Sequence, residues 1–474
     1  MEALDSQRRE IGTSIAFQTA LSTPLPPASA EEHQILHCEP YNDSAVSCLP
    51  VEMLGEIFQL VVDGDLGSAE YNVLDVKHSS NWVISHVCRV WRSASVLTPS
   101  LWASVCIADD LVLLMLDDVP FNNNRATLLQ EYLARSGQYP LLVTLSSPSA
   151  DIQKYLETLL PHLDRCTDLS FTINGEALNT LSTFSGEFSG LKGLSIVIDF
   201  FHSTEPSSTT ADIDCFRKAP NLQEVSLHGI GVLHLKLPFS QLQSFTGDIF
   251  RYIEYLELFL LASQLITATL KVCFVPPIYP LPAPFSHTKL RTLSLYNDIK
   301  CIRDLRLPAL EVFRIERISS GGCHHIAKLF RDSHCPLRSL YLEVSGLLWR
   351  ELDPILKACS STLISLSIRV NVESARYVYN ALDGTSCLAP RLEELCVRED
   401  YWWEGMELSF ADHAFLNMVF WRRGSDNGEV AVLKSLTMCA PYAPRPDDAL
   451  RKLQELEEGG LKVEFYDYPW KTVI

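Results

Sequence analysis

Leu337-Arg338-Ser339-Leu340-Tyr341-Leu342-Glu343-Val344 recurs, with substitutions, along most of this chain. Alternate side chains of a strand share a face, so Leu340, Leu342 and Val344 are read as facing inward, with Tyr341 and Glu343 facing outward. The same Leu-x-x-Leu-x-Leu pattern appears at Leu191-x-x-Leu194-x-Ile196, Leu222-x-x-Val225-x-Leu227 and Leu290-x-x-Leu293-x-Leu295. It continues at Leu310-x-x-Phe313-x-Ile315, Leu363-x-x-Leu366-x-Ile368, Leu392-x-x-Leu395-x-Val397 and Leu433-x-x-Leu436-x-Met438. Leu461-Lys462-Val463-Glu464-Phe465 closes the series, Cys166-x-x-Leu169-x-Phe171 is a plausible first member, and Leu242-x-x-Phe245 is a degenerate one. From Leu290 to Leu392 the anchors advance by 20, 27, 26 and 29 residues, and counting Leu265-x-x-Ala268-x-Leu270 divides the preceding gap into 23 and 25. That period suits a strand with a return segment, each unit burying its apolar face on the next. Segments Gly322 to Asp332 and Pro354 to Cys359 are read as return helices. The expectation is an irregular solenoid over 161–474, with a parallel sheet on its concave side and helices on its convex side. An α/β domain of ordinary strands and helices is the other reading.

Upstream the period changes. Leu49-Pro50-Val51-Glu52-Met53-Leu54-Gly55-Glu56-Ile57-Phe58 places Leu54, Ile57, Phe58 and Val61 at helical spacing, with Pro50 at the first helical position and Glu52 in the first turn. Ile84, Val87, Cys88 and Trp91 form a second stripe, and Thr98-Pro99-Ser100-Leu101-Trp102 is a third helix start. An all-helical module over 47–108 follows, with a polar loop from Gly64 to Asn81 inside it. Residues 109–160 read as a helical or mixed linker, and the proline-punctuated 1–46 as a mostly disordered lead. On periodicity alone the short helices could also be the first layer of the following domain.

Composition narrows the classes of function. The chain has 474 residues, 39 Lys+Arg against 58 Asp+Glu, and a net charge of −19. Nucleic acid and anionic membrane surfaces both require a cationic face, so neither is expected as a partner. No apolar run is long enough to span a bilayer, and the stretch before Ala28-Ser29-Ala30 is too polar for a secretory signal. The 14 cysteines are scattered without a Cys-x-x-Cys, and several, such as Cys88, Cys166 and Cys396, sit in apolar patterns. They are read as reduced thiols of a cytoplasmic or nuclear protein, where the Asn42-Asp43-Ser44 sequon is unused.

Phosphate-cradling glycine loops, a Gly-x-Ser-x-Gly elbow and His-Glu-x-x-His are all missing from the sequence, so no catalytic residue and no cofactor is assigned. Cys323-His324-His325 and His334-Cys335 bring zinc-type ligands within 13 residues. Ile326, Leu329 and Phe330 mark the intervening stretch as a packed helix, and no metal is assigned. The outward strand positions Arg314, Glu316, Tyr341, Glu343, Arg369 and Arg398 are candidates for holding a protein target. So are Tyr401, Trp402 and Trp403, whose other reading is a lid over the last repeats together with Phe415, Phe420 and Trp421.

Two resemblances add to this. Leu49-Pro50-x-Glu52-x-Leu54 with Ile57-Phe58, then Val87-Cys88-x-x-Trp91, then Thr98-Pro99-x-Leu101-Trp102, resembles the F-box in the F-box-like form common in fungal proteins. That resemblance implies a hook for the small adaptor subunit of a cullin-RING ubiquitin ligase, with Leu49, Pro50, Glu52, Leu54, Ile57, Phe58 and Val87 meeting the adaptor. Trp91 would anchor the module's own core. The C-terminal array resembles irregular leucine-rich repeats. The family's turn asparagine is mostly missing, with His228-Gly229, Tyr296-Asn297 and Arg398-Glu399 near its place. Together they imply a non-catalytic substrate-recognition subunit that plugs into the ligase and holds an unknown protein target. The alternative is an interaction scaffold whose F-box-like segment recruits no ligase.

Overall fold

The computed structural model describes residues 49–65, 71–108, 123–146, 152–198, 213–274, 284–319, 322–383, 388–400, 413–424, 430–439 and 447–466. The lead at 1–46 lies outside them, as do Tyr401, Trp402 and Trp403. The protein is mixed α/β and divides into two compact units, Met1–Arg165 and Cys166–Ile474.

The first unit holds helices α1 (Val51–Asp65), α2 (Ser80–Val87), α3 (Arg89–Val96), α4 (Asn123–Arg135) and α5 (Ile152–Leu159), with a 3-10 turn at Pro99–Trp102. Strands β1 (Ser104–Ala108) and β2 (Leu141–Ser146) pair in parallel, Val105 opposite Val143. The expected all-helical module therefore ends in a strand, because Val105 and Ile107 alternate with half-buried neighbours. Helix α4, inside the stretch read as a linker, belongs to the unit's core. Its Tyr132 ring lies 5.2 Å from Trp102, which is 5.2 Å from Trp82. Each polar handle in this aromatic cluster is satisfied: Trp82 Nε1 donates to Val73 O at 2.7 Å, Trp102 Nε1 to Ser95 O at 2.8 Å and Tyr132 OH to Ser104 O at 3.0 Å. The Arg135 guanidinium sits 4.6 Å from both tryptophan rings. Tyr71, Val73 and Leu74, in the supposedly polar loop, are buried, and Val73 N donates to Cys106 O at 2.8 Å.

The second unit contains strands β3 (Cys166–Ile173), β4 (Gly193–Ile198), β5 (Glu224–His228), β6 (Ser244–Ile249), β7 (Thr267–Val272) and β8 (Phe285–Ser286). Strands β9 (Thr292–Tyr296), β10 (Leu305–Arg306), β11 (Val312–Ser319), β12 (Ser339–Ser345), β13 (Ser365–Asn371), β14 (Glu394–Asp400), β15 (Ser435–Cys439) and β16 (Lys462–Tyr466) follow. Helices α6 (Gly175–Ser182), α7 (Tyr252–Leu261), α8 (His324–Ser333), α9 (Trp349–Cys359), α10 (Val372–Leu382), α11 (His413–Gly424) and α12 (Asp447–Glu458) run between strands, and 3-10 turns stand between β4 and β5, β5 and β6, and β9 and β10. Apart from β8 and β10, which pair with each other, the strands run side by side in sequence order and all their pairings are parallel.

The pattern read from the sequence is what aligns the strands. Leu293, Phe313, Leu340, Leu366, Leu395 and Leu436 stand in register and are buried, as are Leu295, Ile315, Leu342, Ile368, Val397 and Met438. Every anchor leucine from Leu191 to Leu461 is buried as well. Just after each anchor, one rung's carbonyl accepts an N–H from the next: Arg338 N donates to Glu311 O, Ile364 N to Arg338 O and Glu393 N to Ile364 O, each at 2.8 Å. A slip of one residue would turn both rows outward, so burial and backbone pairing impose the same register.

Where the array departs from regularity, the backbone supplies the turn. Gly229 and Asn297, each two residues past the last inward side chain of its rung, adopt left-handed φ values of 75° and 77°, and Arg317 (φ 58°) sits at a bulge where the pairing of β11 with β12 shifts register between Ile315 and Ile318. Gly247 occupies an inward position where a Cβ would come within 2.4 Å of Leu227 O, which is why an apolar row there carries no side chain. Buried Arg422 donates to the carbonyls of Leu382 and Leu388 at 2.8 Å and of Ala389 at 3.1 Å, tying α11 to the end of α10.

Candidate functional site

Two surfaces carry unsatisfied or organised chemistry, one in each unit. In the first, helices α1, α2 and α3 pack on one another. Helix α1 buries Leu54, Phe58 and Val62, spaced at i, i+4 and i+8, together with Gly55, and rests on the turn at Thr98. A neighbouring stripe of Met53, Ile57, Leu60 and Val61 is exposed, Leu60 to 74%. Val83 and Val87 of α2 and Val90 of α3 are exposed too.

The candidate adaptor residues thus separate into two groups. Pro50, Glu52, Ile57 and Val87 are exposed and Leu49 is half-buried, so these can meet a partner. Leu54 and Phe58 cannot, because each is 1% exposed; they hold α1 to the unit's core. The Phe58 ring lies 4.9 Å from that of Trp91, which is half-buried and covers the core edge without filling it. The stripe expected through Val87, Cys88 and Trp91 is not the buried one. Extended backbone at Cys88 breaks the helix (φ −158°, ψ 174°), so Trp82, Ile84 and Ala94 supply the core while Val87 and Cys88 face out. Pro50 precedes the first helical residue, and its carbonyl accepts from Leu54 N at 3.1 Å.

The second surface is the outward face of the parallel sheet. Register puts Ser170, Ser195, Ser226, Thr246, Thr269 and Ser294 in one row, continued by Arg314, Tyr341, Ser367, Cys396 and Thr437. Beside it runs a row of paired charges. Asp248 stands opposite Lys271, Lys271 opposite Tyr296, Tyr296 opposite Glu316, and Arg369 opposite Arg398. Glu343 Oε1 takes both Arg369 Nη1, at 3.3 Å, and Arg398 Nη1, at 3.1 Å, while Glu343 Oε2 accepts from the Tyr341 hydroxyl at 3.2 Å. The Arg314 guanidinium lies 4.9 Å over the Tyr341 ring, with Nη1 3.8 Å from Glu316 Oε1.

Five of the six proposed sheet residues, Arg314, Tyr341, Glu343, Arg369 and Arg398, join in this network and keep accessible surface. Glu316 joins it from beneath: it is buried, so it braces Arg314 and meets no partner itself. Burial raises its carboxyl above the ordinary range, with Glu343 adding to the rise and Arg314 opposing it. Burial acts the same way on Asp248, but the nearby His228 ring, 3.7 Å away, the Gly229 N–H, which donates to Asp248 Oδ2 at 2.8 Å, and Lys271 outweigh it and lower that carboxyl. Sequence reasoning missed Asp248, Lys271 and Tyr296, although each is the outward residue of a strand in the series.

Elsewhere, Cys323 is buried, His324 and His334 are exposed, and His325 and Cys335 are half-buried. No group of three or more His, Cys, Asp or Glu positioned to hold a metal ion occurs among the described residues. Phe415, proposed for a lid, is buried against Tyr379 at 5.2 Å, while Phe420 is exposed. No helix among the described residues is long and apolar enough to cross a membrane. Fold and surfaces together define a mixed α/β protein with a repeat-like parallel sheet and an apolar helical face. No protein-family model matches this chain, and no curated protein does.

Proposed function

We propose that this chain is the substrate-recognition subunit of a cullin-RING (SCF-type) ubiquitin ligase, acting in the cytoplasm or nucleus. Its first unit is an F-box-like module that docks on the small adaptor subunit, and its second a divergent leucine-rich-repeat solenoid that holds a protein target. The chain performs no bond chemistry; it raises the target's effective concentration beside the ubiquitin carrier. The observation that carries this reading is the second apolar stripe of α1. Met53, Ile57, Leu60 and Val61, with Val83, Val87 and Val90, give a three-helix cluster more exposed apolar surface than its own fold needs. The F-box resemblance supplies an occupant of matching character. Burying such a stripe contributes about 25 cal/mol per Å² of apolar area, which favours association without any salt bridge.

The test is capture of the adaptor subunit by the full chain and by an Ile57→Asp/Val87→Asp variant. Both positions are exposed, so the variant keeps its helical circular dichroism. Capture by the native chain and about tenfold or greater loss in the variant is the expected result. Failure of the folded native chain to capture the adaptor would leave the scaffold reading in its place.

A further inference from the structure

The ion pairs on the outward face of the sheet are built with an asymmetry. Asp248 is 8% exposed while its partners His228 and Lys271 are 42% and 54% exposed. Glu316 is 8% exposed under an Arg314 that is 47% exposed. Glu343, at 18%, lies no more open than the two arginines that converge on it. At Asp248 and Glu316 the carboxylate forms the floor and the cationic heads form the top, while Glu343 lies level with Arg398 and is shared by two arginines. The floor fixes where each base stands, so the cations need little reordering to meet a ligand.

We infer that this row, from Lys271 to Arg398, binds an extended acidic segment of a protein partner, rich in Asp or Glu. The inference rests on reading the sheet as the surface that holds a target, and adds the chemistry of that target. A cationic segment approaching Lys271 and Arg314 meets their ammonium and guanidinium groups before the carboxylates beneath, so like charges disfavour it. A carboxylate-bearing segment meets N–H donors first. From β7 to β14 the row crosses six strands about 4.8 Å apart, some 24 Å in all, the reach of about seven extended residues. The adjoining Thr269, Tyr341 and Ser367 keep accessible surface and place hydroxyl groups where they can bond a peptide backbone. A nucleic-acid strand suits the row less well. Its phosphates need dense cationic charge, whereas four bases, Lys271, Arg314, Arg369 and Arg398, are spread here over about 24 Å.

Fluorescence anisotropy with labelled octaglutamate, octalysine and oligouridylate tests this on the full chain, with no ligase component present. Octaglutamate is expected to bind, to weaken with added salt, and to bind about tenfold or more weakly to the Lys271→Glu/Arg314→Glu variant. A Lys357→Glu control, which alters an exposed ion pair on α9, leaves binding unchanged. Both substitutions in the test variant are at half-exposed side chains, and Arg314→Ala gives the same direction of change should the double reversal lower the yield of folded protein. Octalysine or oligouridylate binding as tightly as octaglutamate overturns the proposal, as does native affinity in the variant. Adaptor capture by the same preparations separates the two readings: a variant that still captures the adaptor but loses octaglutamate has lost the target surface alone.

Discussion

Gly55 and Gly64 lie in the same helix and answer opposite demands. A Cβ at Gly55 would come 2.9 Å from Thr98 Oγ1, whose hydroxyl is held by Ala94 O at 2.9 Å. Nothing lies within 4 Å of a Cβ at Gly64. Gly55→Ala should therefore cost about 1–2 kcal/mol through forced separation of α1 from the turn, even after its gain in helix propensity. Gly64→Ala should gain about 0.5 kcal/mol. Urea unfolding of the two variants checks this, and shifts of the same sign would refute the packing account. The same scale shows what a sequence can and cannot reveal. The anchor leucines were legible because apolarity and spacing are local properties. The pairing of Glu343 with Arg369 and Arg398, 26 and 55 positions away, was not, because it depends on strand register and on which side chain lies beneath another.

Among the elements, α1 shows why amphipathic patterns mislead. Leu54, Ile57, Phe58 and Val61 read as one face, yet the buried stripe is Leu54, Phe58 and Val62, and Ile57 and Val61 belong to the next. With apolar residues on two adjacent stripes, periodicity leaves the choice to whatever packs nearby, here the turn at Thr98. Phe58→Ala is expected to destabilise the first unit by about 3–5 kcal/mol, whereas Ile57→Ala changes stability by about 0.5 kcal/mol or less. Thermal unfolding distinguishes the two, and equal losses would mean that both stripes are core. Strand β1 was missed because five residues with two inward side chains give too short a signal after a helix start.

Helix α8 carries a titration of its own. Burial, then His324, Arg303 and Lys328, depress His325 to about 4, with Asp304 opposing them. The unfolded chain protonates this imidazole near its ordinary value of 6.5, before the folded chain does. Its contribution to stability is therefore complete above about pH 6.5 and is lost as pH falls toward 4. His325→Gln should shrink the fall in Tm between pH 7 and pH 5; an unchanged fall would place the titration elsewhere.

Across the whole molecule, the second unit behaves as a ladder whose backbone pairings and inward rows join each rung to its neighbours, with the Glu343–Arg398 pair reaching one rung further. Its inward rows and the inter-rung bonds of Arg338, Ile364 and Glu393 are nearest-neighbour interactions, so stability is close to a sum of rung and interface contributions. That arithmetic predicts how damage spreads. Leu366 is 1% exposed, in register with Leu340 on one side and Leu395 on the other. Leu366→Ala should cost about 2–5 kcal/mol at that rung. Native-state hydrogen exchange should then speed most at the amides of Ile364 and Glu393, less at Arg338 and Lys434, and little at Gln223 and Gln243, several rungs away. A two-state globule would instead speed the exchange of every globally protected amide by the same factor. Uniform acceleration from Gln223 to Lys434 would thus count against the ladder, and a gradient centred on Leu366 would establish that a rung can loosen without unseating the charged row of distant strands.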